Sequence, residues 1–156
     1  AEGLLAEAQA KVKEAERWIR DADNMIAEAT VHGELARMRL AAGGYVASGM
    51  FIRFNGTLAF TPADLPRVER FFGGRFGRAL PVSALGQSPV HDRIGFDHRH
   101  AVDVALHPDS AEGRALMAYL QDQNIPFVAV RGAVPGSSTG AHIHIGQPSR
   151  RFTARP

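Results

Sequence analysis

Small and apolar residues return at alternating steps of three and four near the start of the chain: Leu5, Ala8, Val12, Ala15, Ile19, Ala22, Ile26 and Ala29. That spacing keeps one stripe of an α-helix apolar and is the seam of a coiled coil, with Glu, Lys and Arg filling the other positions. It predicts helix over residues 2 to about 42, broken at Gly33 and stopped by Gly43-Gly44. Such a stripe packs either on its own domain or on another chain. Self-association or partner docking through residues 2–42 is therefore one expectation, and residues 1–44 are read as a helical unit separate from residues 45–156.

From residue 45 the period changes. Met50 to Phe54 and Thr57 to Phe60 flank Asn55-Gly56, a strong hairpin signal because both turn positions must reach positive φ. Thr61-Pro62-Ala63-Asp64 reads as a helix start with Thr as cap, and the helix is expected to stop at Gly73-Gly74. Strands are expected at 80–85, 101–106, 125–130 and 141–145, with a helix from the Ser110 cap to about Gln121. Residues 86–100 and 132–140 read as loops. This order predicts an α+β domain, a small mainly antiparallel sheet with flanking helices, behind a long N-terminal helical segment.

Composition narrows the class. The 156 residues are 45% hydrophobic and 22% charged, normal for a globular chain of one domain and an appendage. The net charge of +2 is small, and no basic cluster interleaved with aromatics marks a nucleic-acid surface. Arg150-Arg151 reads as a solvated tail. Cysteine is absent, which excludes disulfides, a thiol nucleophile and thiolate-bound zinc. No stretch approaches the roughly 18 apolar residues that span a bilayer.

Six of the seven histidines fall between positions 91 and 144: His91, His98, His100, His107, His142 and His144. Alternate residues of a strand share a face, so Ala141-His142-Ile143-His144-Ile145 puts both histidines on one side and the apolar residues on the other. Their Cα atoms are then roughly 6.6 Å apart. Ala101-Val102-Asp103-Val104-Ala105-Leu106 has the same alternation, with Asp103 opposite the apolar face. A carboxylate among alanines is costly to bury unless a cation or hydrogen bonds compensate it. His98, five residues upstream, together with the distant His142-x-His144 strand makes a metal site around Asp103 the stronger expectation over a solvent-facing carboxylate.

His98 with Asp103, a helix, a strand and then His142-Ile143-His144 resembles the zinc peptidases that include D-alanyl-D-alanine metallopeptidases, lysostaphin-type endopeptidases and the hedgehog signalling domain. The resemblance covers roughly residues 80–148, and the helix from Glu112 to Gln121 favours the D-alanyl-D-alanine carboxypeptidase branch. It implies Zn2+ held by His98, Asp103 and His144, with His142 as the catalytic base or transition-state stabiliser. It also implies hydrolysis of peptidoglycan peptides outside the cytoplasm, in the periplasm or after secretion. The branches place their first His seven or four residues before the Asp. His98 lies five before, so His91 (twelve) and His100 (three) stay open as alternatives.

Arg99 and Arg131 are candidate clamps for a substrate carboxylate, because the guanidinium offers a bidentate fork. His91 and Ser138, with its loop neighbours Ser137 and Thr139, are further candidate substrate contacts. The rival expectation is a non-catalytic zinc-binding or wall-binding module that recruits a partner through its helical segment.

Overall fold

The computed structural model describes residues 3–19, 38–132 and 140–152. Residues 3–19 form a helix, α1, whose side chains are all exposed. The expected continuation over 20–37 lies outside the described residues. Residues 38–42 are not helical: the chain turns at Ala41–Gly44, where the Gly44 N–H donates to the Ala41 carbonyl at 2.8 Å.

The rest is α+β. Six antiparallel strands form one sheet in the order β1-β2-β6-β7-β5-β3. They are β1 (Tyr45–Ala47), β2 (Phe51–Phe54), β3 (Val82–Leu85), β5 (Val102–Val104), β6 (Phe127–Val130) and β7 (His142–Ile145). A separate two-stranded ribbon pairs β4 (Phe96–Asp97) with β8 (Arg150–Arg151). The helices are α2 (Leu65–Phe76), α3 (Pro89–Ile94) and α4 (Ala111–Asp122).

The hairpin sits earlier than the sequence predicts. β1 pairs with β2 across Ser48–Met50, where the Ser48 hydroxyl accepts the Phe51 N–H at 3.2 Å. Asn55-Gly56 is not a hairpin turn, and residues 57–60 form no strand. The Asn55 amide is taken by the Leu40 carbonyl at 2.8 Å, and β2 pairs with the distant strand β6 instead. Gly56 is required for another reason: a Cβ there would meet the Asn124 carbonyl oxygen at 2.4 Å.

Other elements follow or extend the expectation. The Thr61 signal opens a 3-10 turn, Pro62–Asp64, in which Asp64 accepts the Thr61 N–H at 2.8 Å. α2 then continues through Gly73-Gly74 to Phe76, because Phe72 and Phe76 pack together at 4.9 Å between ring centroids. Gly77, at φ 66°, ends it. α4 starts at the predicted cap, with Ser110 accepting the Gly113 N–H at 2.9 Å. The stretch 86–100 is not all loop: Ser88 caps α3, and β4 follows. Arg150-Arg151 is no loose tail, being the partner strand of β4.

The sheet's two faces have different tasks. Ile52, Phe54, Phe127, Ala129, Ile143, Ile145, Val102 and Val104 share a core with Leu65, Val68 and Phe72 of α2 and Leu116, Met117 and Leu120 of α4. Burying this apolar area is what holds helices to sheet. The cross-strand register puts Arg53, Val128, His144, Asp103 and Ala84 in one row. Directly opposed residues face the same way, so this row lies on the face turned from the core.

Candidate metal centre

Asp103 is central. Although 6% exposed, it is flanked by two imidazoles: His144 Nδ1 is 2.9 Å from its Oδ1, and His98 Nε2 is 3.2 Å from its Oδ2. His144 stands directly opposite on the neighbouring strand. His98 arrives from the segment after β4, which Gln87 anchors by accepting the His98 N–H at 2.7 Å. The rings of His98 and His144 meet edge to face, with centroids 5.0 Å apart.

The other nitrogen of each ring fixes which atom faces the carboxylate. His98 Nδ1 lies 2.9 Å from the Gly86 carbonyl, and His144 Nε2 lies 2.8 Å from the Gln147 carbonyl. A carbonyl only accepts, so each of these nitrogens carries the hydrogen. In the neutral imidazole, His98 Nε2 and His144 Nδ1 then present lone pairs to Asp103. Lone pairs facing a carboxylate call for a cation between them, either protons or a metal ion. Backbone carbonyls orienting metal-binding imidazoles in this way are the common arrangement around zinc.

His91 joins from α3. Its ring stacks on His98 at 4.2 Å between centroids, nearly parallel, and its Nδ1 lies 2.8 Å from the Ser88 hydroxyl. One ligand atom each from His91, His98 and Asp103 lies within 4.8 Å of the others, so this group can hold a metal ion. The donors, imidazole nitrogen and carboxylate oxygen, are ones that several first-row divalent metals accept.

Burial by itself would raise the Asp103 carboxyl. With protons as the cation between carboxylate and rings, hydrogen bonds from His144 and His98 and the charge on the two rings overcome it and hold the group well below the usual carboxylate range. Asp103 therefore stays ionised beside the two rings.

His142 is buried two residues before His144 on the same strand face, with Nδ1 3.3 Å from the Gly140 carbonyl. His100 is exposed, beside Asp97, and not grouped with Asp103. Arg99 is turned to Asp97, at 2.7 Å, and to the ring of Phe152. Arg131 pairs with Asp109 at 3.0 Å and donates to the Ser48 carbonyl. Ser138, with Ser137 and Thr139, lies outside the described residues. His107 is exposed and accepts the Asp109 N–H at 3.0 Å.

Sequence reading missed Arg53. It is 6% exposed, in the same row as His144 and Asp103, and donates to the Met38 carbonyl at 3.3 Å. Its burial, and then the charge of Arg150, lower its pKa from the ordinary arginine value. The signal was an Arg inside the apolar run Phe51-Ile52-Arg53-Phe54. The carbonyls of Gly86 and Gln147 were also missed, since backbone groups leave no residue-type signature.

No family model, curated protein or solved structure matches the chain. Among the described residues, no helix is long and apolar enough to cross a membrane.

Proposed function

We propose that this chain is a zinc-dependent hydrolase that cleaves peptide bonds, with bacterial cell-wall peptides as its substrate class. Supporting this reading is one arrangement: two buried imidazoles, each with one ring nitrogen on a backbone carbonyl, turn the other nitrogen to the two oxygens of Asp103. His98, Asp103 and His144 would hold the ion in this reading, with His91 stacked on His98 as a neighbour or alternative ligand.

When bound, zinc supplies Lewis acidity, polarising a carbonyl and acidifying water at neutral pH. Asp103 contributes the negative charge that offsets the ion. The Gly86 and Gln147 carbonyls hold the imidazoles in the ligating tautomer and against rotation. His142, on the same strand face as His144, holds or moves the proton during attack on the scissile carbonyl. The peptide and cell-wall assignment, and the extracytoplasmic location that goes with it, rest on the sequence resemblance around His98, Asp103 and His142-Ile143-His144.

The test is metal content per chain of the parent, His144→Ala and His91→Ala, together with cleavage of D-alanyl-D-alanine peptides before and after chelation. Near one zinc in the parent, a loss in His144→Ala and chelator-sensitive cleavage are expected. A protein that takes up no zinc at neutral pH would overturn the site. Stoichiometric zinc without cleavage would overturn the peptidase and leave a binding module.

A further inference from the structure

We infer that residues 3–19 form one strand of a parallel two-stranded coiled coil with a second copy of this chain. The inference concerns α1 alone and does not rest on the metal site.

The helix carries large apolar side chains in water: Leu5 is 61% exposed, Val12 56% and Ile19 61%. Most helical stability in proteins comes from packing an apolar face, so a helix with a bare apolar stripe calls for a partner surface. With Leu5, Val12 and Ile19 at the first position of successive heptads, Ala8 and Ala15 take the fourth. β-Branched Val12 and Ile19 at the first position are the residues that two-stranded coiled coils favour there, with Ala in place of the usual Leu at the fourth. Alanine at the fourth lets the two backbones approach closely. Leu4 and Trp18, 75% and 55% exposed, fall at the seventh position and widen the apolar stripe on one flank.

Charge decides both the occupant and the direction. The residues flanking the seam are Leu4, Lys11 and Trp18 on one side and Gln9 and Glu16 on the other. In a parallel pair the seventh position of one helix faces the fifth position of the next heptad on its partner. Lys11 then meets Glu16 of the second copy, and symmetry repeats the contact. In an antiparallel pair each flank meets itself, which sets Lys11 among Leu4, Lys11 and Trp18, and Glu16 among Gln9 and Glu16. No opposite charges meet there. The self-complementary arrangement is therefore the parallel homodimer.

The test uses the full chain. Sedimentation equilibrium of the parent is expected to give twice the 16.8 kDa chain mass. The chain has no cysteine, so Leu5→Cys introduces a unique thiol. A parallel pair brings the two thiols together, and mild oxidation is expected to yield a disulfide-linked dimer. An antiparallel pair centred on Val12 would hold them about 21 Å apart. Arg17→Cys, on the outer face, is expected not to cross-link. Glu16→Lys should weaken association about tenfold, and the double variant Lys11→Glu/Glu16→Lys should restore it. A monomer at high protein concentration would overturn the inference. So would equal cross-linking of Leu5→Cys and Arg17→Cys, or an unchanged dimer in Glu16→Lys.

Discussion

His144 Nδ1 lies 2.9 Å from Asp103 Oδ1, across adjacent antiparallel strands and 41 residues away in sequence. The contact joins two segments that each look unremarkable alone, a strand with a single carboxylate and a strand with alternating histidines. Antiparallel pairing in one particular register makes them a site. A slip of one residue would send His144 into the core and Ile143 into the site.

Replacing Asp103 with Asn preserves shape and removes the charge that would offset a cation in the proposed site. In the proposed site, Asp103→Asn is expected to weaken zinc binding by about 100-fold. Competition against a chelator of known affinity measures it. Unchanged affinity would remove Asp103 from the ligand set.

Ile143 and His144 are neighbours on opposite faces, which separates core packing from the proposed metal site. Ile143 is fully buried in the core. Ile143→Ala is expected to cost about 2–5 kcal/mol in urea unfolding while the surviving folded protein keeps its metal stoichiometry. Parallel loss of metal and stability in this variant would mean that the faces are not independent.

Gly113 lies in the first turn of α4, where Ala is normally the better helix former. Here a Cβ would come within 2.0 Å of the His107 carbonyl oxygen. Gly113→Ala is therefore expected to destabilise by about 1–3 kcal/mol, the opposite sign from helix propensity. A stabilised variant in thermal unfolding would contradict the close approach.

Glu112 is held below its usual carboxyl range by hydrogen bonds from Arg78, which ties the start of α4 to the chain after α2. A depressed folded-state value means that the pairing stabilises above the unfolded value near 4.3 and that this contribution fades as pH falls through the folded-state value. Arg78→Ala is expected to flatten the acid limb of the stability curve, with a small effect because the pair is exposed. Arg78 also lies over the Phe72 ring at 5.3 Å, so Arg78→Ala should lose some stability at every pH as well. An identical pH slope in parent and variant would refute the electrostatic part.

The strand faces around Asp103 and His144 were legible in local pattern. The alternation around Asp103 and in Ala141 to Ile145 put the polar residues on the face opposite the apolar ones, and β5 and β7 have that arrangement. The Ser110 cap and the α4 start are also as read, because caps depend on a few neighbouring residues. Asn55-Gly56 misled for a physical reason. A turn signal competes with tertiary contacts, and here Leu40, Gly44 and Asn124 claim the backbone and side chain of that pair. The helix Pro89–Ile94 was overlooked even though Ser88 and Pro89 are a helix-start signal, because six residues are too few to develop a periodicity.

By itself, then, the sequence determined what its local chemistry controls: which residue types could bind a cation, which face of each strand they occupy, and an α+β order of elements. Tertiary structure decided which histidines meet. It stacked His91 on His98, left His100 in solvent, placed Arg53 in the row of His144, and chose the Gly86 and Gln147 carbonyls as the groups that orient the two imidazoles. These depend on strand order and register across the whole sheet, fixed by burying one continuous core, and no short stretch of residues encodes them.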